Sequence, residues 1–145
     1  MKKSLVMLGV AAALAACAAA VAVDALVIEL EQPFQLSPGG SAQLRGQALR
    51  LGLEEVAADS RCPKDVQCVW EGDATLRVWW QRGKAPREHG ELHTAAHAQR
   101  TLRVGDMELT LLGLDPVPIS SRAIAKQSYV ASLRLSRSSS EFPDR

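Results

Sequence analysis

The chain has 145 residues, among them 17 basic and 16 acidic side chains, three histidines, three cysteines and only six aromatic residues. A balance this even excludes the electrostatic footprint of a nucleic-acid binder, and of a protein held on an anionic membrane by charge alone. The length suits one domain with a real hydrophobic core.

The amino terminus reads as an address. Lys2 and Lys3 precede about a dozen apolar residues and then Leu14-Ala15-Ala16-Cys17. Positive charge, a short apolar run and small residues at the end are the layout of a secretory signal, too short for a membrane span. The last four residues look like a bacterial lipobox, which implies cleavage before Cys17 and a diacylglyceryl thioether on its sulfur. Residues 1–16 are then a lipoprotein signal peptide and residues 17–24 a lipidated linker. Stable attachment takes two or more acyl chains, which a triacylated cysteine supplies. Ala18 rather than Asp follows the cysteine, implying an outer-membrane destination facing the periplasm. Because the apolar run continues through Val23, cleavage after Ala22, with release as a soluble periplasmic or secreted protein, is the alternative.

Lys2 and Lys3 leave with the signal and no acid does, so the exported part carries 15 basic and 16 acidic residues. Either cleavage removes Cys17 from the thiol pool. The remaining pair, Cys62 and Cys68, is even in number and resides in an oxidising compartment, which predicts a disulfide. It closes a ring of seven residues, a constraint of roughly 2 to 2.5 kcal/mol by loop entropy.

Beyond the linker, alternation with a period of two recurs and no capped helical stripe is sustained. Val27, Ile28, Leu30, Phe34 and Leu36 mark a first strand region, and Ser37-Pro38-Gly39-Gly40 turns the chain towards Ala42 and Leu44. Leu49, Leu51, Leu53 and Val56 give the next strand one buried face. Ala74, Leu76, Val78 and Trp80 alternate with Thr75, Arg77 and Trp79, which places the two tryptophans on opposite faces and one of them partly outside. The polar stretch from Gln81 to Gly90 predicts an exposed loop. Thr101–Val104 and Met107–Leu111 form a hairpin around Gly105-Asp106. Pro116 and Pro118 remove ladder donors, so the chain leaves the sheet over Leu112–Pro118. Tyr129, Ala131, Leu133 and Leu135 supply a last strand, and residues 138–145 form a disordered tail. The expectation is one all-β domain over residues 25–137, an immunoglobulin-like antiparallel β-sandwich of seven or eight short strands, with a small β-barrel as the alternative.

The densest cluster lies between two well-patterned strands: Asp59-Ser60-Arg61-Cys62-Pro63, then Val66, Cys68, Val69, Trp70 and Gly72. It resembles a group of uncharacterised bacterial exported proteins and lipoproteins carrying the same pattern. The resemblance is tight over about sixteen residues and loose over the flanking strands from Phe34 to Val78. It implies export and brings no activity with it. Glu71 stands where a smaller residue is expected. In terms of its own chemistry the segment is a stapled connection: Asp59 accepts from nearby amides, Pro63 presets its φ, and Gly72 allows a left-handed turn. Arg61 and Asp59 can pair, and Trp70 can cover the disulfide or the mouth of the sandwich. Held rigidly, the same loop presents Arg61, Lys64, Asp65 and Trp70 as a recognition surface.

His89, His93 and His97 recur every four residues, the spacing of one helical face, which makes them weak candidates for copper or zinc. Gly90, Thr94 and the nearby proline favour solvated loop histidines instead, so no metal or other cofactor is expected. Cys62 and Cys68 are five residues apart with a proline after the first, unlike the two-residue spacing of thiol oxidoreductases. No serine lies in a Gly-x-Ser-x-Gly elbow, Glu54 and Glu55 are adjacent and expected to face opposite ways, and Gly39-Gly40 lacks the lysine and helix of a phosphate loop. The sequence therefore predicts a non-enzymatic envelope lipoprotein that binds or assembles with a partner. An exported metal-binding protein and a thiol-active enzyme are the alternatives. Its partners are the membrane, through the anchor, and an envelope protein; nucleic acid is not among them.

Overall fold

A computed structural model describes residues 25–139; the signal peptide, Cys17 with its linker, and the tail from residue 140 onward lie outside the described residues. Nine strands form two sheets: β1 (Leu26–Ile28), β2 (Pro33–Leu36), β3 (Ser41–Leu44), β4 (Leu49–Asp59), β5 (Ala74–Arg82), β6 (Glu88–His93), β7 (Thr101–Val104), β8 (Met107–Asp115) and β9 (Val130–Arg137). One sheet runs β1-β3-β4-β5-β6 and the other β2-β9-β8-β7; every pairing is antiparallel except that of β1 with β3. The sheets pack face to face as a β-sandwich, and among the described residues no barrel closes and the strands number nine, not seven or eight. The predicted first strand region splits at Glu31, which turns with a φ of 65° and sends β1 and β2 to different sheets.

Alternation produces the core. Leu49, Leu51 and Leu53 of β4, Leu76 and Val78 of β5, Leu109 and Leu111 of β8, and Leu133 and Leu135 of β9 are essentially inaccessible to water, and with Phe34, Leu44 and Trp80 they form one continuous cluster. Each such side chain contributes about 1.5 to 3 kcal/mol of transfer free energy.

Five local expectations are corrected. Both tryptophans are buried, Trp79 at 8% exposure and Trp80 at 9%. Trp80 fills the core, whereas Trp79 lies on the outer face, where Gly52 offers no side chain and the Arg87 guanidinium stacks 4.0 Å from the ring centroid. The polar stretch from Gln81 to Gly90 is not all loop: β5 extends to Arg82 and Glu88–Gly90 begins β6, an edge strand that pairs with β5 and buries only Leu92 completely. Nor does the chain leave the sheet at Leu112; β8 runs on to Asp115, because a bulge between Leu111 and Gly113 resets the register and returns Leu114 to the interior. Another bulge, between Leu53 and Glu55, turns both glutamates to the outer face, where Glu54 lies 3.4 Å from His89 and Glu55 lies 2.7 Å from Arg77. At the carboxyl end, Ser138 donates its amide to Asp106, so the first tail residue is still tied to the domain.

Candidate functional site: the disulfide-closed loop

The loop between β4 and β5 is built from its stem outward. At the end of β4, Arg61 turns inward and grips Asp59 with two parallel bonds, Nε to Oδ1 at 2.9 Å and Nη2 to Oδ2 at 2.8 Å. Its remaining N–H groups reach across to the second sheet, donating to the Leu114 carbonyl at 2.6 Å and the Pro116 carbonyl at 2.9 Å. The buried Tyr129 hydroxyl donates to Asp59 Oδ2 at 3.0 Å. Residues from β4, β8 and the start of β9 thus converge on one charged pair, whose side chains are only 13% and 10% exposed. Bidentate geometry of this kind is among the stronger hydrogen-bonded arrangements. Burial pushes the Asp59 carboxyl up, but the bonds from the Arg61 side chain and backbone and from Tyr129 outweigh it and hold it below its ordinary value. Burial and the hydrogen bond to Asp59 raise the Tyr129 hydroxyl.

The other stem is fixed by Asp73. Its Oδ1 accepts from the amides of Thr94 and Ala95, both at 2.9 Å, and its Oδ2 lies 2.6 Å from His93 Nδ1. These bonds outweigh burial and lower its pKa. The two stems join through Ser60, whose amide donates to the Asp73 carbonyl at 2.7 Å and whose hydroxyl accepts from the Asp73 amide at 3.2 Å. Gly72 is required here: its φ is +69°, and a β-carbon would collide with the Ser60 carbonyl.

Beyond the stems, Cys62 and Cys68 are joined in a disulfide with a Cα–Cα distance of 5.9 Å. The loop also docks on the segment after β8, with the Lys64 amide donating to the Pro118 carbonyl at 3.0 Å and Asp65 accepting from both the amide and the hydroxyl of Ser120. Those two Ser120 bonds depress the Asp65 carboxyl. At the tip Val66, Val69 and Trp70 face water at 46%, 90% and 82% exposure. An open cleft of about 460 Å³ lies beside the indole, bordered by Ser60, Glu71, Asp73 and His97.

Of the predicted rim, Lys64, Asp65 and Trp70 are exposed, but Arg61 is not. It is consumed as the pin of the stem. Trp70 is 82% exposed and so is not packed against the disulfide or into the mouth of the sandwich. Val66 and Val69 stand in the motif but not in the predicted rim, since valines look like strand residues, and Ser120 and Tyr129 carry no local sequence mark because they lie more than fifty positions downstream. The histidines are not all solvated loop residues: His97 is one, with its side chain 82% exposed, but His89 and His93 are strand residues of β6, and each of the three faces a different carboxylate, His89 with Glu54, His93 with Asp73 and His97 with Glu71. Among the described residues no three ligating side chains gather around one point.

Comparison with known proteins leaves the geometry to stand by itself: no family model, curated protein or solved structure matches this chain.

Proposed function

We propose that this protein is a lipid-anchored binding module of the bacterial cell envelope, held by a diacylglyceryl Cys17 in the outer membrane and engaging an envelope protein through the disulfide-closed loop. The module works by binding and carries out no catalysis. The observation that supports this reading best is the coincidence of apolar exposure with rigidity at one place. Trp70 and Val69 stand in water on a loop whose two stems are fixed by Asp59, Arg61 and Asp73 and whose middle is closed by a sulfur bridge. Tryptophan is among the side chains that dominate interface energetics, and a pre-ordered loop loses little entropy on association. A disulfide is the chemistry of an oxidising compartment outside the cytoplasm, and among the described residues no helix is long and apolar enough to cross a membrane. The likeness of the Asp59–Gly72 segment to exported bacterial proteins points the same way.

A photo-activatable residue at position 70 in intact cells tests the reading. It should give a discrete adduct that is absent when the same residue replaces Arg103 and that disappears with Val69→Asp. Equal labelling at both positions overturns the binding site. Fractionation of Cys17→Ser addresses the anchor, which is wrong if that substitution leaves the distribution between membrane and soluble fractions unchanged.

A further inference from the structure

The second unaccounted surface lies at the opposite pole. Between β1 and β2, where both sheets end in edge strands, a groove of about 710 Å³ has an apolar side made by Leu26, Val27, Ile28, Pro33 and Phe34 and a polar side made by Glu29, Gln32, Gln35, Arg45 and Ser132. Leu26 and Val27 are 45% and 52% exposed. The charged pair at its rim is internally neutralised, Arg45 Nε lying 2.9 Å from Glu29. The surface is therefore amphipathic, apolar at Leu26 and Val27 and polar but without net charge beside them, which suits the boundary between zwitterionic headgroups and acyl chains.

Strand register fixes where the groove lies relative to the loop. Leu26 pairs with Ala42 and Ala42 with Leu51, so β1 is level with the start of β4, while the stapled loop leaves from Asp59 at its other end. Two bulges in β4 absorb two residues, so over this stretch β5 runs only the six residues from Trp80 to Ala74 and the two levels lie about 20 Å apart at ~3.3 Å per residue. Eight residues separate Cys17 from Ala25, a tether that reaches at most about 28 Å when extended. A tether that long keeps the β1 pole near the bilayer but does not orient the sandwich. The apolar groove, beginning one residue after the tether ends, supplies the orientation.

We propose that the β1–β2 groove rests on the lipid surface, so that the disulfide loop points away from the bilayer. The inference rests on the anchor reading above. Contact is made by Leu26 and Val27 entering the headgroup boundary, with the Glu29–Arg45 pair remaining at the water side.

The test uses the full lipidated protein in phosphatidylethanolamine–phosphatidylcholine vesicles containing doxyl-labelled lipid. An environment-sensitive fluorophore is placed at Val27→Cys and, as the control at the far pole, at Ser121→Cys; Cys17 is acylated and Cys62 and Cys68 are bonded to each other, so only the new thiol reacts. Quenching should be several-fold stronger at position 27 than at 121 and unchanged by added salt. Equal quenching at the two positions, in protein that floats with the vesicles, overturns the orientation. Protection of position 27 without lipid quenching, in protein that elutes as a dimer, overturns it in favour of a second copy seated in the groove. If both the wild type and Cys17→Ser fail to float, the anchor reading itself has failed. Leu26→Cys replaces Val27→Cys should that variant not fold.

Discussion

Arg61 and Asp59, two residues apart in sequence, form a bidentate pair that also ties the first sheet to the second through the Leu114 and Pro116 carbonyls. The pair differs from the exposed ion pairs elsewhere on the domain, such as Glu29 with Arg45, because water screens it poorly. Its attraction is set against desolvation, so its worth shows when one partner is lost and the other remains buried.

Arg61→Ala should therefore destabilise the domain by about 3 kcal/mol or more, the range for breaking a mostly buried pair. Arg61→Lys should recover only part of this, because an ammonium cannot reproduce the forked contact with Asp59 while also reaching two carbonyls. Urea unfolding followed by circular dichroism measures both, and a midpoint equal to wild type for Arg61→Ala would show that the cross-sheet clamp is not stabilising.

Acid should weaken the domain through Asp59 and Asp73. Both carboxyls are depressed in the folded state, Asp59 by Arg61 and Tyr129 and Asp73 by His93 and the β6–β7 amides, in each case against the opposing effect of burial. The unfolded chain therefore takes up protons first as pH falls. The stability these groups contribute is complete above about pH 4 and drains away as the pH falls through the folded-state values. Unfolding midpoints followed from neutral pH down to about pH 3 should show this acid limb, flattened in Asp59→Asn and in Asp73→Asn. An identical limb in the double variant would assign it to other groups.

Gly72→Ala should cost more than Gly46→Ala. Both glycines have positive φ, +69° and +71°, and each substitution carries the left-handed penalty of about 1–2 kcal/mol. Position 46 is open space, whereas at 72 the new methyl meets the Ser60 carbonyl and must spread the two stems. Thermal melts of the two variants make the comparison, and equal shifts would mean that the stems yield at no cost.

The three tryptophans should separate cleanly. Trp70→Ala should change stability by less than about 0.5 kcal/mol, as surface substitutions generally do, while Trp80→Ala should cost about 3–5 kcal/mol. Iodide should quench one component of the intrinsic fluorescence, and that component should be missing in Trp70→Phe. Full accessibility of all three indoles would contradict the burial of Trp79 and Trp80.

The long-range half of this architecture had no local signature. The leucines of β4 and the alternation of β5 are legible because each strand buries one complete face. The edge strand β6 is hidden because Leu92 is its only fully buried side chain and its histidines and glutamates resemble a loop. Trp79 reads as half exposed because its cover, Gly52 beneath and Arg87 above, comes from elsewhere in the chain. The two bulges of β4 and the one of β8 escape a strict period of two, as one extra residue reverses every face after it. At the candidate site the motif residues were visible, but the inward turn of Arg61 depends on carbonyls 53 and 55 positions away and on Tyr129, 70 positions from Asp59.

The seat of β9 between β2 and β8 has a consequence for how the molecule is made. Phe34 pairs with Leu133 and Leu109 with Leu135, so the strand that completes the smaller sheet beside β2 lies about a hundred residues downstream of it. A polypeptide delivered amino end first must hold Phe34 and Leu36 unsatisfied until residues 130–137 arrive, and the loop closure that then joins the two ends is a slow, non-local event. Completion of the smaller sheet therefore waits on residues 130–137, and a chain lacking them would expose an open, sticky half-sheet with no smaller domain in its place.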